Sequence, residues 1–593
     1  MNNSDLKSTI KNQEILNALK LDSANLKKSI AHNFIVDSES GPYKTIQEAI
    51  DAAEPGSTIK IAPGLYNDNI YINKPDLTLE PKEKVGDIIL VVQNKPAIRI
   101  NLQPGQSCKI SSMKLSHSGT NENIEEIERL MQEKEFTLNL FGGGKVLDGI
   151  TQYSECEPDL ELVNKFPIEP DMNCILYVEG GELVMEKCLL SLNFIISNNR
   201  NILPAVIVTE NGKIDFSQVE IKGNINHETI GVIIRKGNAK IDKSKIYGHL
   251  FGGVAIWSNK NNVVKITNSK IYKNSKMGIH CVGEDGEVLI EGNKIENNNG
   301  SGVKIGIANK TSIIKNEIKQ NQVGVEVNSG EPFIFSNKID KNYTDGILTN
   351  TFNKIRCDAI IKNNLSICRN NDNGINCKGI NNYTKIELNS FVAYNKKAGI
   401  KVDEEATVCI FKNKVLKNFT QGILLVESSS AIIEQNEIKE NIKANIAMGG
   451  INAINTCILK NIISGGRCEG IFLIESGNCW IKENNIQDNN DGIVCITSLP
   501  EISFNEISKN KSNGIMVMKD SRPTIISNII TDNDGIGLFI RDKSWGKIKD
   551  NTIKSNEIEL VLERKNEVQQ SLLSDNSVTG DIRLPQGVSC NIF

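Results

Sequence analysis

Between Gly278 and Asn556 one phrase of apolar and polar positions is written over and over: Gly-Ile or Gly-Val, an alternating apolar run, Asn-x-Ile-x-x-Asn, then Gly-Ile again. Its anchors are Gly278, Gly302, Gly324, Gly346, Gly374, Gly399, Gly422, Asn445, Gly470, Gly492, Gly514 and Gly535, at intervals of 21 to 28 residues. A fixed period in this range predicts stacked repeats rather than a closed globule. Within each repeat the residues one and three places after the anchor are apolar, as in Val303 and Ile305, Ile400 and Val402, or Ile515 and Val517. Strand alternation turns these inward. The Ile of Asn-x-Ile (Ile295, Ile318, Ile339, Ile438, Ile486, Ile507, Ile553) forms a second inward column. Asparagines in register at 293, 316, 337, 413, 436, 461, 484, 505, 528 and 551, and at 298, 321, 342, 418, 441, 489, 510 and 556, predict amide ladders at left-handed turns.

The flanks extend this reading. Residues 1–40 carry Leu6, Ile10, Ile15, Leu19, Leu26 and Ile30 near the helical period, which predicts one or two amphipathic helices, either capping the body or docking a partner. Residues 41–118 open with a helix over Tyr43–Ala53, stopped by Pro55-Gly56, and continue into strands at Thr58–Ala62, Ile70–Ile72 and Leu77–Leu79. Residues 119–173 break the pattern and read as an insertion with an acidic helix over Asn123–Glu135. Coils resume over 174–562, and 563–593 must close the far end. About eighteen coils at ~4.8 Å each make a rod of about 85 Å.

The run TIQEAIDAAEPGSTIKIAPGLYNDNIYI, with the Asn-x-Ile-x-x-Asn and Gly-Ile repeats after it, resembles right-handed parallel β-helix proteins of the pectin-lyase-like superfamily. It is particularly similar to the carbohydrate-binding and sugar-hydrolase-type repeats of NosD-like proteins, β-helix F-box proteins and SHC-binding spindle proteins. The resemblance implies an all-β, single-stranded, right-handed parallel β-helix solenoid with an N-terminal helical cap and one helical insertion. It implies no particular activity, since the superfamily holds lyases, esterases, hydrolases and inert adaptors alike.

Composition narrows the classes. A net charge of -4 and a pI near 6.0, with both signs mixed along the chain, give no broad reason to expect nucleic acid or an anionic membrane. No apolar run approaches the ~18 residues of a spanning helix, and the opening MNNSDLKSTIKNQ lacks the basic-then-apolar order of a signal peptide, so the expectation is a cytoplasmic protein; the asparagine-rich wording suggests a scaffold that could sit in a large cytoskeletal or ciliary assembly. Fourteen scattered cysteines without CxxC pairs read as reduced core residues, and no Cys/His cluster suggests a metal or other cofactor.

β-Helix carbohydrate enzymes need acidic residues converging on one exposed strand face with an Arg or Lys beside them. The motifs that pectin esterases and polygalacturonases carry, Leu-Gly-Arg-Pro-Trp and Gly-His-Gly among them, do not occur here. Asp532, Asp534, Arg541, Asp542 and Lys543 read as solvated turn charges, and His280 with Trp257 as an outward surface pair. On the outward column the earlier coils are polar (Lys304, Glu326 with Asn328, Asn376 with Lys378, Lys401 with Asp403), whereas from Gly422 onward it turns apolar: Leu424 and Val426, Phe472 and Ile474, Val494 and Ile496, Met516 and Met518, then Phe539. Five steps of ~4.8 Å across a strand width of ~10 Å give roughly 250 Å² of apolar surface. Its cover is the chain's own helices or tail, a partner protein, or a second copy. The expected function is therefore a non-catalytic protein-binding scaffold or adaptor using this column. The alternative is a carbohydrate-active enzyme or carbohydrate-binding protein that takes an acidic polysaccharide on the polar face of the earlier coils.

Overall fold

A computed structural model describes residues 33–118 and 172–584, apart from 84–86, 193–202, 226–228, 284–285, 307–309, 451–454 and 564–568, together with the short strands 146–147 and 150–151. The expected helices in residues 4–31 and 123–135 lie outside the described residues. The chain winds into a parallel β-solenoid of about 19 turns. A typical turn contributes three strands, for example Met277–Gly283, Glu287–Glu291 and Lys294–Glu296, before the next turn begins at Val303–Ile305. The first joins an anchor sheet, the second a middle sheet and the third a closing sheet, while Cys174–Glu186 and Leu203–Ser217 each run unbroken through the first two. All three pair in parallel with the equivalent strand one turn away.

The helix α1 seals the beginning over Ile46–Ala52. Thr45 accepts from the Glu48 backbone while the Glu48 carboxylate accepts from Thr45, a reciprocal cap, and Ile46, Ala49 and Ile50 are buried. The two columns marked as inward are inward: Val303, Ile305, Ile318, Val325, Val327 and Ile339 are all fully buried in one continuous core. Gly302 shows why the anchor is a glycine. A Cβ there would lie 2.7 Å from the Gly324 carbonyl oxygen and 2.8 Å from the Asn321 amide nitrogen.

Both asparagine ladders exist and run further than expected. In the ladder between middle and closing sheets, Asn293 Nδ2 donates to Asn316 Oδ1 at 3.1 Å and to the Ile266 carbonyl at 2.7 Å, and Asn364, Asn389 and Asn576 continue the series. The second ladder, between closing and anchor sheets, includes Asn370, Asn395 and Asn533. The expected reason for asparagine needs correcting. The left-handed residue is the one before the ladder asparagine, such as Asn297 (φ 57) before Asn298 or Lys315 (φ 53) before Asn316, so the asparagine is there for its amide alone.

One irregularity has a local cause. Gly466 stands where the second ladder wants an asparagine, and Asn445 stands where the anchor wants a glycine. With no side chain at 466, Asn445 reaches into the space, accepts from Asn441 Nδ2 at 2.8 Å and donates to Asn489 Oδ1 at 2.8 Å, which closes the gap. At the far end, Gln569–Ser574 is helical and Ser577–Thr579 and Ile582–Arg583 pair onto the preceding closing and anchor strands, so the tail adds strand pairs rather than only a plug.

Candidate functional site

The outer side of the anchor sheet is where chemistry and geometry coincide. Register places Ala255, His280, Lys304, Glu326, Leu348, Asn376, Lys401 and Leu424 side by side on successive rungs. These side chains point away from the core because their strand neighbours, Ile279 and Cys281 or Ile400 and Val402, point into it. Backbone pairing on both sides makes the row rigid.

Lys304 Nζ lies 2.9 Å from Glu326 Oε1, with side chains 11% and 18% exposed. The other Glu326 oxygen accepts from the Ser301 hydroxyl. Burial opposes ionisation of Glu326, but the Lys304 ammonium, the Ser301 hydroxyl and the nearby His280 outweigh it and hold the carboxyl below its ordinary range. Further along, Lys401 pairs with Asp403 on the same strand, and Lys378 Nζ lies 3.3 Å from Glu404 Oε1. Burial pushes the Asp345 carboxyl up, although Asn376 Nδ2 at 2.9 Å and the Asn373 backbone and amide nitrogens at 2.8 and 2.9 Å all donate to it. Beside this stretch a cleft of about 570 Å³ is lined by Asn350, Thr351, Gly379, Glu404, Glu405 and Glu427, among others. Among the described residues no three His, Cys, Asp or Glu side chains are grouped to hold a metal ion.

The residues expected to bind a protein partner share the same face further on. Phe472, Val494, Met516 and Phe539 follow Leu424 and Ala447 in one column, and Ile474, Ile496 and Met518 form the next, with Val426 just past its strand's end. They do not form an open patch. Only Ile474, at 38%, is exposed; Val494 is buried, and Leu424, Val426, Phe472, Ile496, Met516, Met518 and Phe539 are half-buried, with the Arg541 guanidinium lying over Phe539. The His280–Trp257 surface pair is also corrected. His280 is 1% and Trp257 6% exposed, and Trp257 belongs to a second apolar cluster with Ile230, Ile233, Phe251, Ala255, Met277 and Val282, separate from the main core.

The sequence model of the right-handed β-helix region matches residues 204–358, 252–392 and 445–582, together more than half of the chain. The protein belongs to the right-handed β-helix family. No curated protein matches it. Among solved structures it is similar to pectin methylesterase PemA from Erwinia chrysanthemi (11% identity, TM-score 0.21, 59% of this chain and 80% of that one). It is similar to the periplasmic alginate epimerase AlgG (14%, TM-score 0.25, 64% and 77%) and to the Siphovirus 9NA tailspike receptor binding domain (12%, TM-score 0.20, 95% and 79%). The expectation of a non-catalytic protein-binding scaffold is corrected by the face itself: of the apolar column that was to carry the scaffold's partner, Ile474 alone is exposed.

Proposed function

We propose that the protein binds an acidic polysaccharide along the outer side of the anchor sheet, over the rungs from His280 to Asp403. The observation that carries this reading is the row itself. Lys304, Lys378 and Lys401 present ammonium groups on strands of one rigid face, each beside a carboxylate, with the amides of Asn328 and Asn376 among them. Rungs repeat at ~4.8 Å, close to the length of one sugar residue, so a polymer lying along the solenoid axis meets a new set of groups at each sugar. Ammonium groups suit uronate carboxylates, and amides suit hydroxyls.

The test is titration with alginate and polygalacturonate oligosaccharides, polymers related to those in the names of the similar structures, against neutral xylo-oligosaccharides. Saturable binding of a uronate oligomer that weakens with salt, and about tenfold weaker binding by Lys401→Glu, is the expected result. No binding of either uronate polymer would overturn the proposal. Formation of unsaturated or newly reducing ends during incubation would add turnover to it.

A further inference from the structure

Asn376 has an unmet hydrogen-bonding need that its structural twin lacks. Its side chain is only 5% exposed, its Nδ2 donates to Asp345 Oδ2 at 2.9 Å, and its Oδ1 is buried without a partner. Amide orientation does not remove this. Whichever way the group is turned, one of its two atoms faces Asp345 and the other is left over. A buried acceptor without a partner has given up water and gained nothing in return, so a fold that keeps one on a rigid strand calls for an explanation.

The later coils provide the comparison. Asp491 occupies the place of Asp345, one residue before an anchor glycine, and its Oδ1 likewise accepts from the backbone and amide nitrogens of the next such residue, Asn513, at 3.0 and 2.8 Å. There the second oxygen is satisfied within the turn by Asn490 Nδ2 at 2.9 Å, and the strand position equivalent to Asn376 is the apolar Met516. In that turn the carboxyl has no need of a strand-face amide; before Asp345 the equivalent residue is Thr344, whose hydroxyl donates to the Gln322 carbonyl at 2.7 Å instead. Around Asp345 it has one, and that amide carries a spare acceptor on the row that also bears Lys401.

We propose that Asn376, backed by Asp345, is a hydroxyl-recognising subsite for one uronate residue, whose carboxylate is taken by Lys401. This rests on the polysaccharide reading above and assigns the contact within it. Asn376 lies between Leu348 and Lys401 on the face. Lys401 is a flexible stem 26% exposed and paired with Asp403. When a ligand carboxylate competes with Asp403 for the ammonium, the stem swings outward, the Asn376 oxygen becomes reachable, and a hydroxyl of the same sugar donates to it. The two contacts are thus coupled: the subsite prefers a sugar carrying both carboxylate and hydroxyl over one carrying the hydroxyl alone.

The experiment compares wild type, Asn376→Leu, Asn376→Ser, Lys401→Met and the Asn376→Leu/Lys401→Met double variant for binding to an alginate oligosaccharide and to its carboxyl-reduced, neutral counterpart. Leucine already stands at 348 and 424 of the same column, and the serine variant serves if leucine disturbs the fold, as monitored by thermal unfolding. Asn376→Leu should weaken binding of the uronate oligomer by about tenfold and leave the neutral one within twofold. The double variant should be no weaker than Lys401→Met alone. Wild-type affinity in both Asn376 variants, or equal losses for the two oligomers, would overturn the subsite while the polysaccharide reading stands. Failure of wild type to bind alginate and polygalacturonate oligosaccharides alike would overturn both.

Discussion

The exchange between Asn445 and Gly466 makes a demanding test of the ladder. Asn445→Gly restores the repeat's usual anchor but removes the amide that accepts from Asn441 Nδ2 and donates to the Ser464 carbonyl at 3.1 Å and to Asn489 Oδ1. At about 1 kcal/mol per buried hydrogen bond, plus the backbone cost of a new glycine, the loss is roughly 3–4 kcal/mol. Gly466→Asn restores the usual ladder residue but places a Cβ 2.9 Å from Asn445 Nδ2 and 3.1 Å from Asn489 Oδ1, an overpacking cost of about 1–3 kcal/mol. Together the two substitutions rebuild the pattern of neighbouring turns, where a glycine anchor such as Gly422 faces a ladder asparagine such as Asn441. The double variant should therefore lie within ~1 kcal/mol of wild type, with a coupling of about 3 kcal/mol or more between the sites. Urea unfolding followed at Trp480, in the turn after Gly466, reads this out through the midpoint at constant slope. Amide exchange at Asn441 and Gly466 localises the effect if the solenoid unfolds in segments. Additive losses in the double variant would refute the account of a ladder repaired from the neighbouring position.

Other outcomes follow from buried groups. His249 occupies the place of a ladder asparagine and donates its backbone N–H to Asn274 Oδ1, but neither ring nitrogen is hydrogen-bonded, and burial pushes it down to about 3, only partly opposed by the nearby Ile221 backbone. Because the folded value is depressed below the ordinary 6.5, the stabilising difference is complete above about pH 6.5 and is lost as pH falls towards 3, by roughly 1.4 kcal/mol per unit. His249→Asn should flatten that part of the stability curve in denaturant titrations between pH 7 and 4, leaving the smaller contribution of His117, which burial lowers to about 4. Lys304→Met strands the Glu326 carboxylate and should cost about 3–5 kcal/mol in thermal or urea unfolding, whereas Lys304→Met with Glu326→Leu should recover most of it. Burial raises the thiols of Cys108, Cys281, Cys377 and Cys479 to about 12, so among the described cysteines a thiol reagent should label half-buried Cys409, Cys457 and Cys468 first, as mass mapping would show.

What could be read from the residues alone follows the range of each interaction. Inward columns and ladders were legible because period-two alternation fixes direction and because each asparagine's partner is its own copy one turn on, as Asn413 is to Asn436. Direction, however, is not exposure. Leu424 through Phe539 do face outward, yet neighbours on adjacent rungs shield one another. Trp257 and His280 face outward and are buried, the former between its rung neighbours Arg235 and Val282. Polar positions such as Asn376 were equally legible as outward, but the need of its amide depends on Asp345, 31 residues earlier. A signal for that need does exist in the spacing: an aspartate just before one anchor, an asparagine just before the next, and a polar residue two places after it. Asp345, Asn373 and Asn376 satisfy it, whereas Asp491 and Asn513 are followed by Met516, and there the carboxyl stays within the turn. The distinction between a structural aspartate and one tied to the face thus lies in two residues, Thr344 where the other turn has Asn490 and Asn376 where it has Met516, and only Asn376 stands on the face, which marks it rather than the aspartate as the position to perturb first.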